Sequence, residues 1–202
     1  TGGQMLSYLL DQADSRGCST VNSLLPSDES AQVDLFLKHG FSRCARIPDC
    51  FDFTRHAPGK TGDLLCRIFH KTSLPPLFAD WEDQKRIEPL LRSAGLAPTF
   101  TMPQLDPPLF GRSVLHITAS GEQQRGEIRI LHFGVDVFLQ IRQALKHLRK
   151  LGIPGVLLEL PLEKTQTATF AEKFHEMGFN TCGIMPNLPG GMEMLLYLPF
   201  KP

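Results

Sequence analysis

Apolar residues recur at helical spacing and in short continuous runs, and these two patterns alternate in a fixed order. In the first third of the chain they predict one helix over 5–13 and a second helix that follows the N-cap Ser27. They also predict strands over 21–25, 41–47 and 64–69. In the last third they predict helices over 137–151, capped by Asp136, and through Phe170 and Phe174, and strands over 156–160, 179–185 and 192–198. Both stretches therefore predict helix, strand, helix, strand, strand.

The two stretches also share residues in register. Five residues recur 138 positions later and four recur 135 positions later, as Phe36/Phe174, Gly40/Gly178, Phe41/Phe179, Cys44/Cys182, Pro48/Pro186, and Gly17/Gly152, Val21/Val156, Leu25/Leu160, Pro26/Pro161. Similar endings of unrelated helix–glycine–strand units would also give some matches. Cysteine and proline have no such reason to recur, so the pattern favours an internal repeat.

Between the two stretches, residues 71–111 contain seven prolines and one short helical pattern over 81–94. Strands over 114–118 and 128–133 then predict a hairpin around Ser120 and Gly121. The predicted organisation is a first unit at 1–70, a proline-rich linker at 71–111 and a second unit at 112–202. The fold class is α/β with mixed sheets and helices on both faces.

Composition excludes several classes of protein. The 202 residues are 42% hydrophobic and carry no net charge, so neither a nucleic acid nor an anionic membrane is an expected partner. No apolar run reaches the ~20 residues of a membrane span. The five cysteines form no CxxC pair, and the histidines lack metal-ligand spacing, so no metal site is predicted. We expect a cytoplasmic location. Because Thr1 is not Met, we also expect the chain to be part of a longer protein.

The motifs resemble the GNAT acyltransferase family. Residues Thr1-Gly2-Gly3-Gln4-Met5-Leu6 resemble the end of that family's pyrophosphate loop running into its helix, followed by Arg16-Gly17 at the helix end, and residues 26–41 resemble its helix leading to Gly-Phe. The second unit is similar to GNAT-like modules of bacterial proteins that also carry a histidine-kinase-type ATPase domain of the anti-sigma class. That likeness is carried by residues 158–162, 177–179, 183–186 and 190–193.

The resemblance implies that residues 1–70 are the C-terminal half of a GNAT-like module that is truncated at its N-terminus. It also implies acetyl-CoA as a cofactor of this first unit. Gly2, Gly3 and Gln4 would hold the pyrophosphate at a helix N-terminus, and Asn22 and Ser23 would touch the pantetheine arm beside a gap between splayed strands. In the second unit, Asp136 stands where the family's loop should attract phosphates.

The family often has Tyr four residues before the glycine of Gly-Phe, as the proton donor to the thiolate. Here those positions are Phe36 and Phe174, which carry no titratable proton, and no catalytic residue is assigned.

Two functions stay open. The first is an acyl-CoA-dependent N-acetyltransferase that has degenerated in at least the second unit. The second is a non-catalytic GNAT-like module that binds a small molecule or a protein partner and regulates an attached signalling domain of the anti-sigma ATPase type. The two units could pack as an intramolecular pseudo-dimer, and the sequence does not determine the oligomeric state.

Three other signals receive structural interpretations. The segment Gly59-Lys60-Thr61 lacks the glycine spacing of a phosphate-binding loop and predicts a turn. His116 and His132 could face each other across the hairpin. Cys44 and Cys182 are expected as small buried hydrophobic residues of the sheet.

Overall fold

The computed structural model describes residues 2–51, 60–70, 73–103, 108–120 and 125–200. Its helices are α1 (Gly2–Ser15), α2 (Ser30–Lys38), α3 (Trp81–Ser93), α4 (Val137–Lys150) and α5 (Thr165–Glu176). Its strands are β1 (Thr20–Pro26), β2 (Ser42–Phe51), β3 (Lys60–Ile68), β4 (Val114–Ser120), β5 (Arg125–His132), β6 (Gly155–Pro161), β7 (Asn180–Pro186) and β8 (Met192–Pro199). We call α1 to β3 the first unit and β4 to β8 the second unit.

All eight strands form one sheet in the order β1-β3-β2-β7-β8-β6-β5-β4. Strands β5 and β6 are parallel, whereas the other neighbouring strands of the described sheet are antiparallel. The predicted α/β class with a mixed sheet is therefore confirmed.

The two units meet where β2 lies beside β7, through a single pairing between Ala45 and Gly183. These residues are themselves separated by the 138-residue offset of the sequence repeat. Outward from this pairing the first unit continues as β3 and β1, and the second continues as β8 and β6. The sheet order is thus symmetrical about the junction, as expected for two equivalent units.

Backbone irregularities occur at matching positions in the two units. The β2–β3 ladder shifts register between Arg43 and Ala45, and the β7–β8 ladder shifts between Thr181 and Gly183, so the extra residue is a cysteine, Cys44 or Cys182, in each case. Two pairs of matched glycines end helices with positive φ, namely Gly17 (73°) with Gly152 (75°), and Gly40 (81°) with Gly178 (97°).

Apolar side chains form three clusters. The largest contains the inner faces of α4 and α5, the α3 residues Ile87 and Leu91, and Cys66 of β3. A second joins α1 and α2 to Leu65 of β3. Because successive strand residues point to opposite faces, β3 is covered on both sides. The third cluster, around Leu157 and other residues of both units, lies across the junction.

Some local predictions need correction. Helix α2 begins at Ser30 rather than at Ser27, whose hydroxyl instead donates to the carbonyl of Thr61. His116 and His132 do not face each other, because His116 pairs with Arg129 and His132 pairs with Val114. In this register the two histidines lie two residues apart along β4 and three residues apart along β5.

The other predicted elements lie close to their expected positions, and Lys60 is the first residue of β3. Gly59 and Gly121 lie outside the described residues.

Candidate functional site

The N-terminus of α4 is closed by the chain itself. Asp136 occupies the N-cap position, but its side chain makes no hydrogen bond to the helix backbone. Its carboxylate accepts from the backbone N–H of Ser113 at 2.7 Å and from Gln140 Nε2 at 2.8 Å. These bonds hold the pKa of Asp136 down at about 2, so the group is ionised at neutral pH.

The loop before α4 is held against the segment that leads into β4. The backbone N–H of Gly134 donates to Ser113 Oγ, and that of Val135 donates to the carbonyl of Gly111. A Cβ at Gly134 would lie 2.3 Å from the backbone nitrogen of Ser113, so the two segments are in direct contact. The start of α4 is therefore occupied by an ionised carboxylate and by hydrogen bonds within the chain.

The predicted pyrophosphate residues Gly2, Gly3 and Gln4 form the first turn of α1, which contains no acidic residue. This turn lies against the end of α2: a Cβ at Gly3 would lie 3.6 Å from Leu35 and 3.7 Å from His39 Cε1. The charge of this helix start would suit an anion, in contrast to α4. The role of these three residues stays a prediction.

Asn22 and Ser23, the predicted pantetheine residues, lie on β1 at the edge of the sheet, where β3 is the partner strand among the described residues. Asn22 Nδ2 donates to the carbonyl of Pro186 at 2.8 Å and lies 3.4 Å from Asn187 Oδ1. The structure thus places Asn22 against the β7–β8 hairpin of the second unit.

From Asn187 a polar network continues into the second unit. Asn187 Nδ2 donates to Glu193 Oε2, whose other oxygen lies 3.7 Å from Arg129 Nε, and Arg129 donates to Glu159. The side chains of Glu159 and Glu193 are 7% and 16% exposed. We call Asn22, Asn187, Glu193, Arg129 and Glu159 the junction network.

The junction network contains two carboxylates and one guanidinium in a largely buried place. Burial raises the pKa of Glu193 to about 7, against the lowering effect of Arg129, and burial also raises the pKa of Glu159. A carboxylate that titrates near neutral pH can accept a proton from an amine, which is the task of a general base. No local pattern of residues indicates this group, since its members lie up to 171 positions apart.

The network lies where β5 and β6 separate. Their parallel pairing runs from Gly126 with Val156 to Arg129 with Glu159. Beyond this point Ile130 pairs with β4, and Leu160 pairs with β8. A gap between splayed strands was expected beside Val21 to Ser23 of β1. In the second unit, β6 matches β1, and the parallel pairing of β6 with β5 ends at Glu159.

A second polar cluster joins α3 to the second unit. His175 Nε2 lies 3.0 Å from Asp83 Oδ2, and His175 Nδ1 lies 2.9 Å from the carbonyl of Phe179. Two oxygen acceptors require both ring nitrogens to be protonated, and the bond to Asp83 raises the pKa of His175 to about 9. Thr181 also donates to the fully buried Asp83.

The same cluster brings together three groups of the kinds that ligate cations. Ligand atoms of Asp80, Asp83 and His175 all lie within 4.8 Å of one another, although sequence spacing gave no sign of it. In the structure Asp80 accepts from the backbone N–H of Asp83, and both ring nitrogens of His175 face oxygen acceptors. The contact of His175 with Asp83 is therefore that of an ion pair.

The two phenylalanines at the family's tyrosine position are packing residues. Phe174 is fully buried in the largest cluster, and Phe36 lies at 4.9 Å from the ring of Phe41 in the α1–α2 cluster. Cys44 is fully buried as expected, whereas Cys182 is half-buried. A hydrogen bond with Cys44 and burial raise the pKa of the Cys66 thiol, so Cys66 is not a thiolate nucleophile at neutral pH.

The chain has limited similarity to known proteins. No family model and no curated protein matches the chain. One solved structure that matches is the crystal structure of the NatC complex bound to Gag peptide and CoA, at 18% identity and a TM-score of 0.34. The match covers 44% of this chain and 60% of the length of that one. Separately, each helix in the described ranges is too short or too polar to cross a membrane.

Proposed function

We propose that the chain is a GNAT-like protein whose second unit has lost the acyl-CoA site and which acts by binding a ligand or a partner. The observation that carries this proposal is the contact of Asp136 with Ser113 and Gln140 at the start of α4. Phosphate groups would have to displace these bonds and approach an ionised carboxylate. The regulated partner would be a signalling domain of the anti-sigma ATPase type, as the resemblance implies.

Acetyl transfer that uses the first unit is the second candidate function. Two observations favour it: the first turn of α1 has no acidic residue, and Asn22 is joined through Asn187 to Glu193, whose pKa is about 7. In this candidate Gly2, Gly3 and Gln4 would hold the pyrophosphate of acetyl-CoA, and Glu193 would take the proton of the acceptor amine. The thioester itself would be supplied by the cofactor.

Isothermal titration with acetyl-CoA separates the two candidates. For a binding module we expect no saturable heat at ligand concentrations up to 1 mM. Micromolar binding that is abolished in Gly2→Asp would instead support acetyl transfer. The matched control is Ser7→Asp, which adds the same charge to an exposed position farther along α1. Micromolar binding that Gly2→Asp leaves intact but that Asp136→Asn strengthens would place the cofactor at α4 and overturn the proposal.

A further inference from the structure

A cleft lies between the two units, beside the single pairing of β2 with β7. Its volume is about 540 Å³, within the range of clefts that hold small molecules. Residues of both units line it: Arg46 and Pro48 come from β2, Asn180 and Cys182 from β7, and Tyr197 and Pro199 from β8. A molecule bound in this cleft would therefore touch both units at once.

Helix α3 fills the place that corresponds to this cleft on the other side of the junction. At the 138-residue offset, Cys182 of the cleft matches Cys44 of β2, which is buried in the cluster that contains apolar side chains of α3. Asn180 likewise matches Ser42. The hydroxyl of Ser42 donates to the carbonyl of Ser93, at the end of α3, at 2.7 Å. The junction thus has one filled place and one open place.

Two larger side chains leave room only for a small occupant in the open place. Tyr197 takes the position that Cys66 has in the first unit, since each pairs with the matched residue of the neighbouring strand. Arg46 takes the position that Ile184 has in the second unit, at the 138-residue offset. These side chains occupy part of the space that α3 takes on the other side. The cleft therefore suits a small molecule rather than a helix.

One arginine gives the cleft its charge. The side chain of Arg46 is 68% exposed, and no acidic residue lines the cleft in the part of the chain that the structure describes. Asp63 lies 3.9 Å from Arg46 Nε but 3.0 Å from Arg43 Nε, so its closer ion pair is with Arg43. Two guanidinium groups thus share one carboxylate among the described residues. This arrangement leaves one positive charge for an anion.

The walls of the cleft favour a flat apolar body with a single negative charge. Pro48, Pro199 and the ring of Tyr197 supply apolar surface. The ring is held in place, because a Cβ at Gly155 would overlap the hydroxyl of Tyr197. A guanidinium forms two parallel hydrogen bonds with one carboxylate. A phosphate group would bring a second negative charge against apolar walls without a partner, which is costly.

We propose that this cleft binds a small molecule that carries one carboxylate on a flat apolar body. The carboxylate accepts hydrogen bonds from the guanidinium of Arg46, and the body packs between Pro48 and the ring of Tyr197. The bound molecule contacts β2 of the first unit and β7 and β8 of the second. Because it binds the folded junction only, it stabilises the contact between the units.

This inference deepens the proposed binding function, because it names the class of ligand, and it rests on that function for the idea of a ligand. The two proposals can nevertheless fail separately. The acetyl-CoA titration reports on the helix N-termini, whereas the experiment below reports on the cleft between β2 and β7. Absence of binding in both experiments would leave the binding function standing and this class of ligand wrong.

The test uses 2-naphthoate as the probe and naphthalene-2-methanol, which lacks the charge, as the matched ligand. On addition of 2-naphthoate we expect saturable changes in the amide signals of residues 46, 47, 180–182 and 197, with a dissociation constant of about 1 mM or lower. The neutral alcohol should bind about tenfold more weakly. Bound 2-naphthoate should also raise the midpoint of thermal unfolding.

Two variants test the role of charge in the cleft. Arg46→Gln should weaken binding of 2-naphthoate by about tenfold or more, and it should fold because the side chain is 68% exposed. Asn180→Asp places a negative charge on an exposed residue of the cleft and should also weaken binding, although Arg46 is still present. The matched control is Arg142→Gln, which removes the same group from an exposed position on α4 and should leave the affinity unchanged.

Four results would overturn the proposal. The first is the absence of saturable changes at about 10 mM 2-naphthoate. The second is equal binding of the neutral alcohol, and the third is wild-type affinity in Arg46→Gln. The fourth is a loss of affinity in Arg142→Gln but not in Arg46→Gln, because the probe then occupies the groove between α4 and α5 that Arg142 lines.

Discussion

The first and second units have matching backbones but different chemistry. Their helix-ending glycines, their bulges and the order of their strands correspond. At matched positions, however, Leu24 corresponds to the buried Glu159, Leu37 to His175, and the exposed Leu9 to the buried Ala144. The comparison teaches that the two units share backbone conformation at these positions, whereas the charged side chains of the junction network all come from the second unit.

The largest expected difference between the units concerns the matched phenylalanines. Phe174→Ala removes a fully buried ring and should lower the free energy of unfolding by about 3–5 kcal/mol. Phe36→Ala removes a partly buried ring and should cost about 2 kcal/mol or less. Urea denaturation of both variants measures the difference. Equal losses of unfolding free energy would show that Phe174 contributes no more to stability than Phe36 does.

The ion pair of His175 and Asp83 should make the second unit sensitive to pH. The pKa of His175 is raised from 6.5 to about 9 in the folded protein, so its stabilisation is complete below pH 6.5 and is lost as the pH rises through 9. We expect the stability advantage of the wild type over His175→Gln to fall by about 1–3 kcal/mol between pH 6.5 and 9.5.

The measurement for His175 is the difference between two unfolding curves at each pH, since Glu193 titrates in both proteins. Leu37→Gln provides the matched control, because Leu37 holds the equivalent position in the first unit and is 38% exposed. A difference between wild type and His175→Gln that does not change with pH would show that His175 is not charged in the folded protein.

The smallest effect should be equal in the two units. Gly17 and Gly152 both have φ near 75°, and a Cβ at either position would have no atom within 4 Å. Alanine at either position is therefore strained only in its backbone, which costs about 1–2 kcal/mol. Thermal unfolding of Gly17→Ala and Gly152→Ala should give losses within about 0.5 kcal/mol of each other. Clearly unequal losses of stability would show that the two helix ends are not equivalent.

Much of the fold could be predicted from the sequence because its signals are local. Helical spacing ended by Gly152 or Gly178 predicts elements within a few residues of where they lie. The start of α2 was misplaced because Ser27, a common N-cap residue, donates across to β3 instead. The register of β4 against β5 was also missed, since the hydrophobic pattern does not determine which residues of two neighbouring strands pair.

The polar clusters could not be predicted, for a different physical reason. Asp83 and His175 are 92 residues apart, and Asn22 and Asn187 are 165 apart. Their contacts depend on how the two units and α3 pack, which short-range spacing does not determine. The start of α4 could be predicted in part. The acidic residue Asp136 was visible in the sequence, but its hydrogen bond from Ser113 was not.

The contact of β2 with β7 leaves no room for a side chain on one of the two strands. A methyl group on Gly183 would stand 2.4 Å from the Cβ of Ala45 and 2.3 Å from the carbonyl oxygen of Cys44. Any larger residue at position 183 would therefore force the two strands apart at the one residue pair that joins them in the described sheet.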